Sequence, residues 1–511
     1  MGQLKRNARK GSILGMAMLF FVMVTVAGAA LLSMSTINRM KTVRNGVDVR
    51  LMIAAEAGME TIRGRFTLVS GVQDDWSWLT TGTWTTLDTI SVNDTPVTLQ
   101  ANLLSGSSVP TARVRGIATA SGRTRAVEQT IKVASFSDYA RFSGSTSVTS
   151  FGANFKMVGT CYYRGGINLG GNGGIQFLGQ ATTSGVVSGL PTPEGVAYNF
   201  PAGYIQGSPV ISIPSSAYGT DPILAQADAL SSTYAGTTNL PQWDVKASGF
   251  HFYRNTISLE FFPFSSGSVT GTQVVRRYYY RESGNENYLV SGQYSTRSET
   301  ITLPQGEEIC LYVDDSTPPL GYDCWNSGEY NYEDYGRLDL SGTLRNARIT
   351  VCTEMDCHVV DNVNYYTLLQ NPSLRLQANK TSSAATSFTE MLGVVAQDEV
   401  LFDFNTFSPY NSGDTGYLAD GVTNQYHLDG TFLGTYRAYY NGTPSASGSD
   451  EFWGCGCLIG VNYPTTGFGG AFGTRHYDWD WRLQSTTPPF FLRAYNVTAT
   501  FVPGTWRTYE M

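Results

Sequence analysis

The hydrophobic pattern of the first 66 residues predicts one long helix with two different halves. Four basic residues precede Gly11, and no charged residue occurs from Ser12 to Asn38. The apolar part of this run, Ile13–Leu32, has about 20 residues, which at about 1.5 Å per residue matches the roughly 30 Å hydrocarbon core of a bilayer. It has no polar face, whereas a buried helix of a soluble protein usually has one. The segment is therefore predicted to span a membrane.

The second half of the predicted helix is amphipathic. Its apolar residues recur every three or four positions, which places them on one helix face. They are Val47, Leu51, Ala55, Met59, Ile62 and Phe66. A secretory signal peptide is the alternative interpretation, since it also begins with basic residues and becomes apolar. Its apolar region would be only about 7–15 residues long, so the pattern favours a retained span.

Residues 67–134 are predicted to form a small antiparallel sheet. Apolar and polar residues alternate around Val97 and Leu99, and Arg113–Ala120 and Thr124–Val133 are joined at Ser121–Gly122, a hairpin signal. Three tryptophans, at positions 76, 78 and 84, are predicted to pack this sheet against the helix.

Residues 135–511 have a different, glycine-rich pattern. Short apolar bursts alternate with turns, as in strands that stack as rungs of a solenoid or bend into a sandwich. An insertion of about 186–335 is predicted to hold a short helix (Asp221–Ala229) and a strand pair (Thr256–Phe264 and Thr270–Tyr280). The repeat has no exact period, and an irregular single-stranded β-helix is favoured. The predicted fold class is mainly β with one long N-terminal α-helix and a large β-helix-like or β-solenoid-like domain.

The N-terminal helix resembles those of type IV pilin-like proteins. A basic leader (1–11), a glycine, an uncharged apolar helix and an amphipathic extension (12–66 in all) form that signature, and Ala54–Glu60 is similar to the corresponding segment of PilX-type members. The resemblance implies cleavage after Gly11, which would leave Ser12 first. It also implies that Glu56 and Gly58 belong to an assembly helix.

The resemblance has one departure, at the fifth mature position. Most pilins have Glu there, whereas this chain has Met16. In pilins that Glu neutralises the N-terminus of the neighbouring subunit, and the K-type minor pseudopilin and many PilX-like proteins lack it. Met16 therefore favours a minor or tip position over the repeating shaft.

The C-terminal region resembles an uncharacterised domain that follows PilX-type helices in exported bacterial proteins. The family context is a pilus or secretion apparatus, with no assigned activity. The similar pieces are Phe136–Ala140, Leu340–Leu344, Ile349–Val351, Met391–Asp398, Leu428–Phe432 and Pro488–Phe491.

Charge is distributed unevenly along the chain. Residues 1–66 have ten Lys/Arg against three Asp/Glu, and the remaining residues have 24 against 38, for a net charge of -7 overall. An acidic body argues against nucleic-acid binding, which needs clustered cations. Basic residues before the span predict a cytoplasmic N-terminus. The expected location is a bacterial inner membrane, with the body periplasmic, extracellular or displayed on a pilus.

All seven cysteines lie beyond residue 160, on the predicted exported side, where disulfides are permitted. Cys310 with Cys324 and Cys352 with Cys357 are candidate pairs, although pairing cannot be deduced from sequence and seven is an odd number. The two-residue spacing and histidine pair of a zinc site are missing. No metal or cofactor is expected.

Motifs of catalysis are mostly absent. The sequence has no His-Glu-x-x-His, no Gly-x-Ser-x-Gly and no phosphate-binding loop. Asp314–Asp315 and Asp478/Asp480 are the best carboxylate pairs for acid/base chemistry on a polysaccharide. Solvated turn carboxylates are the favoured interpretation of both, so the protein is not expected to be an enzyme.

Clustered aromatic residues are candidates for contact with a surface glycan or a partner protein. Their rings offer a large contact area with a polar tip, although alternation along a strand fits one buried face equally well. They are Tyr278, Tyr280, Trp479 and Trp481.

The sequence thus favours a membrane-anchored minor pilin-like protein that contacts other pilin-like subunits and acts in pilus assembly, tip display or adhesion. The alternatives are an anchored carbohydrate-active enzyme and an envelope protein outside any filament.

Overall fold

The protein is mainly β, with one long N-terminal helix followed by an antiparallel sheet and a large β domain, which confirms the predicted fold class. The computed structural model describes residues 4–66, 76, 79–104, 111–132, 135–152, 155–170, 174–190, 193–213, 234–235, 243–246, 249–280, 295–303, 305–315, 337–376, 388–419, 424–442, 450–460, 472–484, 486–491, 500–502 and 504–510.

Helix α1 spans Leu4–Arg65 without interruption. Its large apolar residues are exposed from Met16 to Ile37, and burial begins at Leu51. The predicted stripe is confirmed from that point, because Leu51, Ala55, Met59, Ile62 and Phe66 are all buried against the sheet. Val47, at its start, is only half-buried.

The small sheet contains four antiparallel strands in chain order: β1 (Thr85–Val92), β2 (Thr95–Leu104), β3 (Thr111–Ala120) and β4 (Arg123–Lys132). The predicted hairpin at Ser121–Gly122 is confirmed. Both residues have positive φ, +53° and +68°, as expected for a two-residue turn that matches the strand twist.

The tryptophans differ in their roles. Trp76 is buried, and its ring meets that of Phe66 edge to face with centroids 4.7 Å apart, which confirms the predicted packing on the helix. Trp84 instead lies 3.9 Å from the guanidinium of Arg115, on the other face of the sheet. Trp78 lies outside the described residues.

Two strands near the end of the chain also belong to the small sheet: β30 (Thr500–Phe501) and β31 (Arg507–Glu510) both pair antiparallel with β4. The predicted domain boundary, which assigned 135–511 to the second domain, is therefore wrong for these residues. Their pairing partner is more than 360 residues away in sequence, so no local pattern indicates it.

The large domain begins with short strands joined by tight turns. They are β5 (Arg141–Ser143), β6 (Thr149–Ser150), β7 (Lys156–Val158), β8 (Cys161–Tyr163), β9 (Ile167–Asn168), β10 (Gln176–Phe177), β11 (Ala181–Thr183), β12 (Val187–Ser188), helix α2 (Pro193–Asn199) and β13 (Tyr204–Ile205).

Longer strands follow: β14 (Tyr234–Ala235), β15 (Trp243–Lys246), β16 (Gly249–Phe252), β17 (Thr256–Ser266), β18 (Val269–Tyr280), β19 (Ser295–Thr302), β20 (Glu308–Val313), β21 (Arg337–Leu344), β22 (Arg348–Thr353), β23 (Asp356–Tyr365), β24 (Met391–Ala396), β25 (Glu399–Asp403), β26 (Gln425–Gly434), β27 (Arg437–Asn441), β28 (Glu451–Gly460) and β29 (Thr474–Asp478). Helix α3 spans Tyr366–Gln370, and short 3-10 helices span Phe136–Asp138, Pro372–Arg375 and Trp481–Gln484.

Most of these strands pair in parallel with strands one turn of chain away. One parallel ladder, here the first ladder, runs in the spatial order β16, β20, β22, β24, β26, β28, β5, β8, β11, β13. A second ladder runs β17, β21, β23, β25, β27. Alternate strands therefore stack on each other, as successive turns of a coil would.

The chain enters the first ladder in its middle. Strand β5, the first strand of the large domain, pairs with β28 near its end, with Arg141 opposite Leu458. Strands β8, β11 and β13 extend the ladder from there in one direction, and the chain then returns at the other end with β16. Residues at both ends of the large domain thus close the middle of one sheet.

The predicted insertion of 186–335 is partly wrong as a boundary. Strands β13, β16 and β20 lie within those residues, yet each pairs into the first ladder. The predicted strand pair is confirmed as the antiparallel hairpin β17–β18. The predicted helix Asp221–Ala229 lies outside the described residues.

Candidate functional site: the N-terminal helix and the polar clusters of the large domain

The first part of α1 presents apolar side chains on all sides. Met16 is 70% exposed and Phe21 is 76% exposed, and the large apolar side chains from Met16 to Ile37 are exposed throughout. At about 1.5 Å per residue this stretch is roughly 33 Å long, enough for the hydrocarbon core of a bilayer. Among the described residues, α1 is the one helix long and apolar enough to cross a membrane.

Polar side chains within this part of the helix are satisfied by the helix itself. The Thr25 hydroxyl donates to the Phe21 carbonyl at 2.8 Å, and the Thr36 hydroxyl donates to the Leu32 carbonyl at 2.9 Å. Such bonds matter in lipid, where water is not available to polar groups. The chemistry of this surface is thus compatible with a bilayer.

The second part of α1 approaches the sheet closely. A Cβ added to Gly58 would lie 2.7 Å from Cγ1 of Val97 on β2, and one added to Gly116 on β3 would lie 2.4 Å from the Ala55 carbonyl oxygen. Gly58, which the family resemblance placed in subunit assembly, is buried against the protein's own sheet. The structure gives it a role in intramolecular packing, and its role in subunit assembly stays a prediction.

Charged groups fix the helix to the sheet where it leaves the exposed part. Asp48 pairs with Arg123 at 3.1 Å and with Arg125 at 3.2 Å, and both arginines also contact Glu510 of β31. Hydrogen bonding to Asp48 raises the pKa of Arg125. The helix, the β3–β4 hairpin and the C-terminal strand are thereby connected through one group of charges.

The remaining residues predicted for processing and assembly all lie on α1. Gly11 and Ser12 lie within the helix, and nothing is described of their surroundings or of the Ser12 side chain. Met16 is fully available to a lipid or protein neighbour, and Glu56 is half-buried beside the sheet. Their roles stay predictions.

A polar cluster lies just beyond three neighbouring strands of the first ladder, β16, β20 and β22. His251 Nε2 is 3.0 Å from Asp314 Oδ2, and the Tyr312 hydroxyl donates to Glu354 at 2.6 Å. Burial raises the pKa of Glu354, and the Asp314 carboxyl raises it further, against the opposing hydrogen bonds from Tyr312 and the Asp315 amide. Asp315 itself is exposed. Sequence reasoning found the two aspartates but not Glu354 or His251, which come from other strands.

The second predicted carboxylate pair is buried, so its interpretation as solvated turn carboxylates is wrong. Asp478 is 7% exposed and Asp480 is 3% exposed. Asp480 binds the Arg482 guanidinium through both oxygens, with Nε 2.9 Å from Oδ1. Asp480 is thus held in a buried ion pair.

The aromatic candidates Trp479 and Trp481 line a small cleft together with these aspartates. Trp479 is buried, and its indole nitrogen donates to the Ser137 carbonyl at 2.9 Å. Trp481 is half-buried, with its ring centroid 5.9 Å from that of Trp479. Trp479 is therefore part of the core, which corrects its candidacy as an exposed ligand contact.

Tyr278 is also buried, so the ligand-contact hypothesis is wrong for it as well. The guanidinium of Arg276 lies 4.6 Å from its ring centroid and 4.9 Å from that of Phe252. Arg276 in turn is bound by Glu299 at 2.7 Å and by Asn255 at 3.1 Å. The cluster stabilises the β17–β18 hairpin. Tyr280 lies on β18, and its side chain is outside the described residues.

The predicted disulfide between Cys352 and Cys357 is wrong, because Cys357 is a buried free thiol. The two residues lie on different ladders, β22 and β23, and burial raises the pKa of the Cys357 thiol. Cys324 lies outside the described residues, so its pairing with Cys310 stays a prediction. Within the described part of the chain, no group of three or more His, Cys, Asp or Glu side chains could hold a metal ion.

Comparison with known proteins gives little further information. No family model and no curated protein matches the chain. One solved structure that it matches is the competence-associated pilin ComZ from Thermus thermophilus, at 11% identity over 91% of this chain and 97% of that chain, with a TM-score of 0.25. A TM-score this low does not establish a common fold. The function must therefore be inferred from the helix and the β domain themselves.

Proposed function

We propose that this is a membrane-anchored, minor pilin-like protein of a type IV pilus or related secretion apparatus, with the large β domain displayed outside the inner membrane. The role is structural and non-enzymatic: the exposed part of α1 lies in the bilayer before assembly and contacts other pilin-like subunits afterwards.

The observation that carries the proposal is the change in environment along α1. The large apolar side chains of the helix are exposed from Met16 to Ile37, and one face of the same unbroken helix is buried against its own sheet from Leu51 onward. An apolar surface of that size is not stable in water and needs lipid or protein around it. A single helix meets this requirement if its exposed part anchors the protein in the membrane and its buried part packs in the core of the small sheet domain.

The position in a filament follows from residue 16. The exposed apolar part of the helix has no carboxylate from Ser12 to Asn38, so nothing there neutralises the amino terminus of a neighbouring subunit. Burying an unpaired ammonium group in a filament core would be costly. This supports a minor or tip position, with the head available for adhesion to a surface glycan or protein.

Processing provides the first test. We expect N-terminal sequencing of the mature protein to begin at Ser12, and we expect the protein in sheared filaments of the native organism. Gly11→Val should leave residues 1–11 attached and remove the protein from filaments. Gly64→Ala is the control, because Gly64 lies outside Met16–Ile37 and an added Cβ there meets no atom within 4 Å. An unprocessed protein that is absent from filaments would contradict the proposal.

A second candidate, an anchored polysaccharide hydrolase, is favoured by one observation. Asp314 lies between His251 and a carboxyl group of raised pKa, Glu354, and such a pair can divide acid and base roles. Asp314→Asn discriminates between the two candidates. Polysaccharide cleavage by the wild type that is lost in this variant, with filaments intact, would favour the hydrolase. The pilin-like proposal predicts no cleavage by either protein.

A further inference from the structure

The middle of the first ladder contains a buried arginine that has no hydrogen-bond partner among the described residues. Arg141 on β5 is 1% exposed, and none of its three guanidinium nitrogens has a hydrogen-bond acceptor in the structure. A guanidinium cannot lose its proton in a protein. Leaving a full positive charge unpaired in the interior would cost several kcal/mol. The described residues therefore supply no negative group to this site.

Side chains of β5 and β8 beside Arg141 offer further hydrogen-bond donors. Arg141 and Ser143 project from the same face of β5, because alternate residues of a strand share a face. Their register partners on β8 are Cys161 and Tyr163. The hydroxyl groups of Ser143 and Tyr163 are buried and have no hydrogen-bond partner in the part of the chain that the structure describes, and the Arg141 guanidinium lies 5.9 Å from the Tyr163 ring centroid.

None of these neighbours neutralises the arginine. Burial raises the pKa of Cys161 to about 12, and it raises that of Tyr163 further, so both remain protonated at neutral pH. No described carboxylate pairs with Arg141. The cluster is an assembly of donors around a cation, which is the arrangement that binds an anion.

A cavity of about 260 Å³, including its open part, lies on the β28 side of this cluster. It is lined by Leu458, the register partner of Arg141 on β28, together with Gly454, Gly456, Tyr477 and Asp478, and it does not include Arg141, Ser143 or Tyr163 among its lining residues. Burial raises the pKa of Tyr477, and the positive charge of Arg141 opposes that rise. The glycines leave the wall without side chains at this level.

We infer that Arg141, Ser143 and Tyr163 form an internal binding site for a small monovalent anion of the chloride class. The bound anion stabilises the pairing of β5 with β28, which connects the beginning of the large domain with a strand near its end. The near-complete burial of Arg141 excludes a bulky ligand, and the hydroxyl donors complement the guanidinium in coordinating an anion.

The first experiment measures the thermal unfolding of the detergent-solubilised full chain in sodium chloride and in sodium gluconate at equal ionic strength. A ligand that binds the native state raises the midpoint with its concentration. We expect a saturable stabilisation by chloride, absent with gluconate, that Arg141→Met removes and Arg164→Met, a half-buried arginine one strand away, preserves. Equal curves in the two salts for the wild type, or an unchanged chloride effect in Arg141→Met, would overturn the inference.

A second variant covers the case in which Arg141→Met does not fold. The double variant Ser143→Ala, Tyr163→Phe keeps the charge of Arg141 and the shape of the site. It should weaken chloride binding, so that the half-saturating chloride concentration rises about tenfold. Crystals soaked in bromide should show an anomalous peak in contact with the Arg141 guanidinium. Water alone at this position, with no bromide peak, would exclude the site.

Discussion

The backbone carbonyl of Ala55 and the α-carbon of Gly116 are packed so closely that a Cβ on Gly116 would lie 2.4 Å from the Ala55 oxygen. Real Cβ atoms do not approach an oxygen to this distance, so the helix and β3 are in contact through their backbones. A glycine at this point of the sheet therefore sets the spacing between α1 and the small sheet.

This spacing predicts the effect of adding one methyl group. Gly116→Ala should lower the free energy of unfolding by about 2 kcal/mol, because a rigid backbone atom must move to make room. The control is Gly64→Ala on α1, the helix that contains Ala55. An added methyl there meets no atom within 4 Å, so the variant should be neutral or raise the free energy of unfolding by roughly 0.5 kcal/mol. Urea titration of the detergent-solubilised protein, followed by tryptophan fluorescence, checks both. Equal stability of the two variants would contradict the close approach.

The connection between the small sheet and the large domain depends on a buried lysine. Lys132, at the end of β4, is 1% exposed, and its ammonium group binds the Asp138 carboxylate and, at 2.5 Å, the Leu483 carbonyl. Lys132→Met should cost about 3 kcal/mol, because it leaves a carboxylate and a carbonyl without their cation.

The matched control for this prediction is Lys156→Met, since Lys156 is exposed. Limited proteolysis gives a second measurement: we expect faster cleavage between the small sheet and the large domain in Lys132→Met than in the control. Indistinguishable cleavage and stability would show that Lys132 does not join the two parts.

A buried ion pair of the large domain provides a third prediction. The Arg375 guanidinium donates two hydrogen bonds of 2.6 Å to Asp429, which also accepts the Tyr365 amide at 2.9 Å. Arg375→Met should destabilise the protein by about 3 kcal/mol, because it leaves a fully buried carboxylate unpaired. Adding Asp429→Asn should recover part of that loss, and the double-mutant cycle measures the coupling. Additive effects would mean that the two groups do not interact.

Asp356 makes stability depend on pH. Burial, and then the charge of Glu399, raise the pKa of Asp356 from 3.8 to about 6. A carboxyl with a raised folded pKa binds more protons when folded, so its contribution to stability is lost as pH rises from about 4 to 6. Asp356→Asn keeps the oxygen that accepts the Glu399 amide, and should stabilise the protein at pH 7 by about 1 kcal/mol after allowance for solvent screening.

The measurement is the free energy of unfolding at several pH values between 4 and 7, for the wild type and the variant. Asp94→Asn, in the exposed turn between β1 and β2, is the control. We expect the curve of Asp356→Asn to diverge from that of the wild type above pH 4, and the curve of Asp94→Asn to stay parallel to that of the wild type. A constant difference across this range would show that Asp356 does not titrate there.

Local patterns predicted the elements that depend on local sequence. The stripe from Leu51 to Phe66, the turn at Ser121–Gly122 and the short strands of the large domain all follow from spacing and turn residues, and the structure confirms them. Such features need only a few neighbouring residues to specify them.

Contacts between distant residues could not be predicted in this way. The pairing of Arg141 with Leu458, and of Thr500 with Lys132, joins residues more than 300 positions apart and leaves no periodic signal. The same limit explains the candidate sites. For Trp479 and Tyr278 the sequence left a ligand contact and a buried strand face equally open, and only the packing of other strands over them decides for burial.

The most direct test of the central claim is photolabelling of native membranes with a carbene reagent that dissolves only in lipid, followed by mass spectrometry of the peptides. The proposal predicts label in Met16–Ile37 and none in Leu51–Phe66, where the same helix is covered by its sheet. Absence of label from Met16–Ile37, or equal labelling of both segments, would contradict a helix whose first part lies in the membrane and whose second part packs against the protein's own sheet.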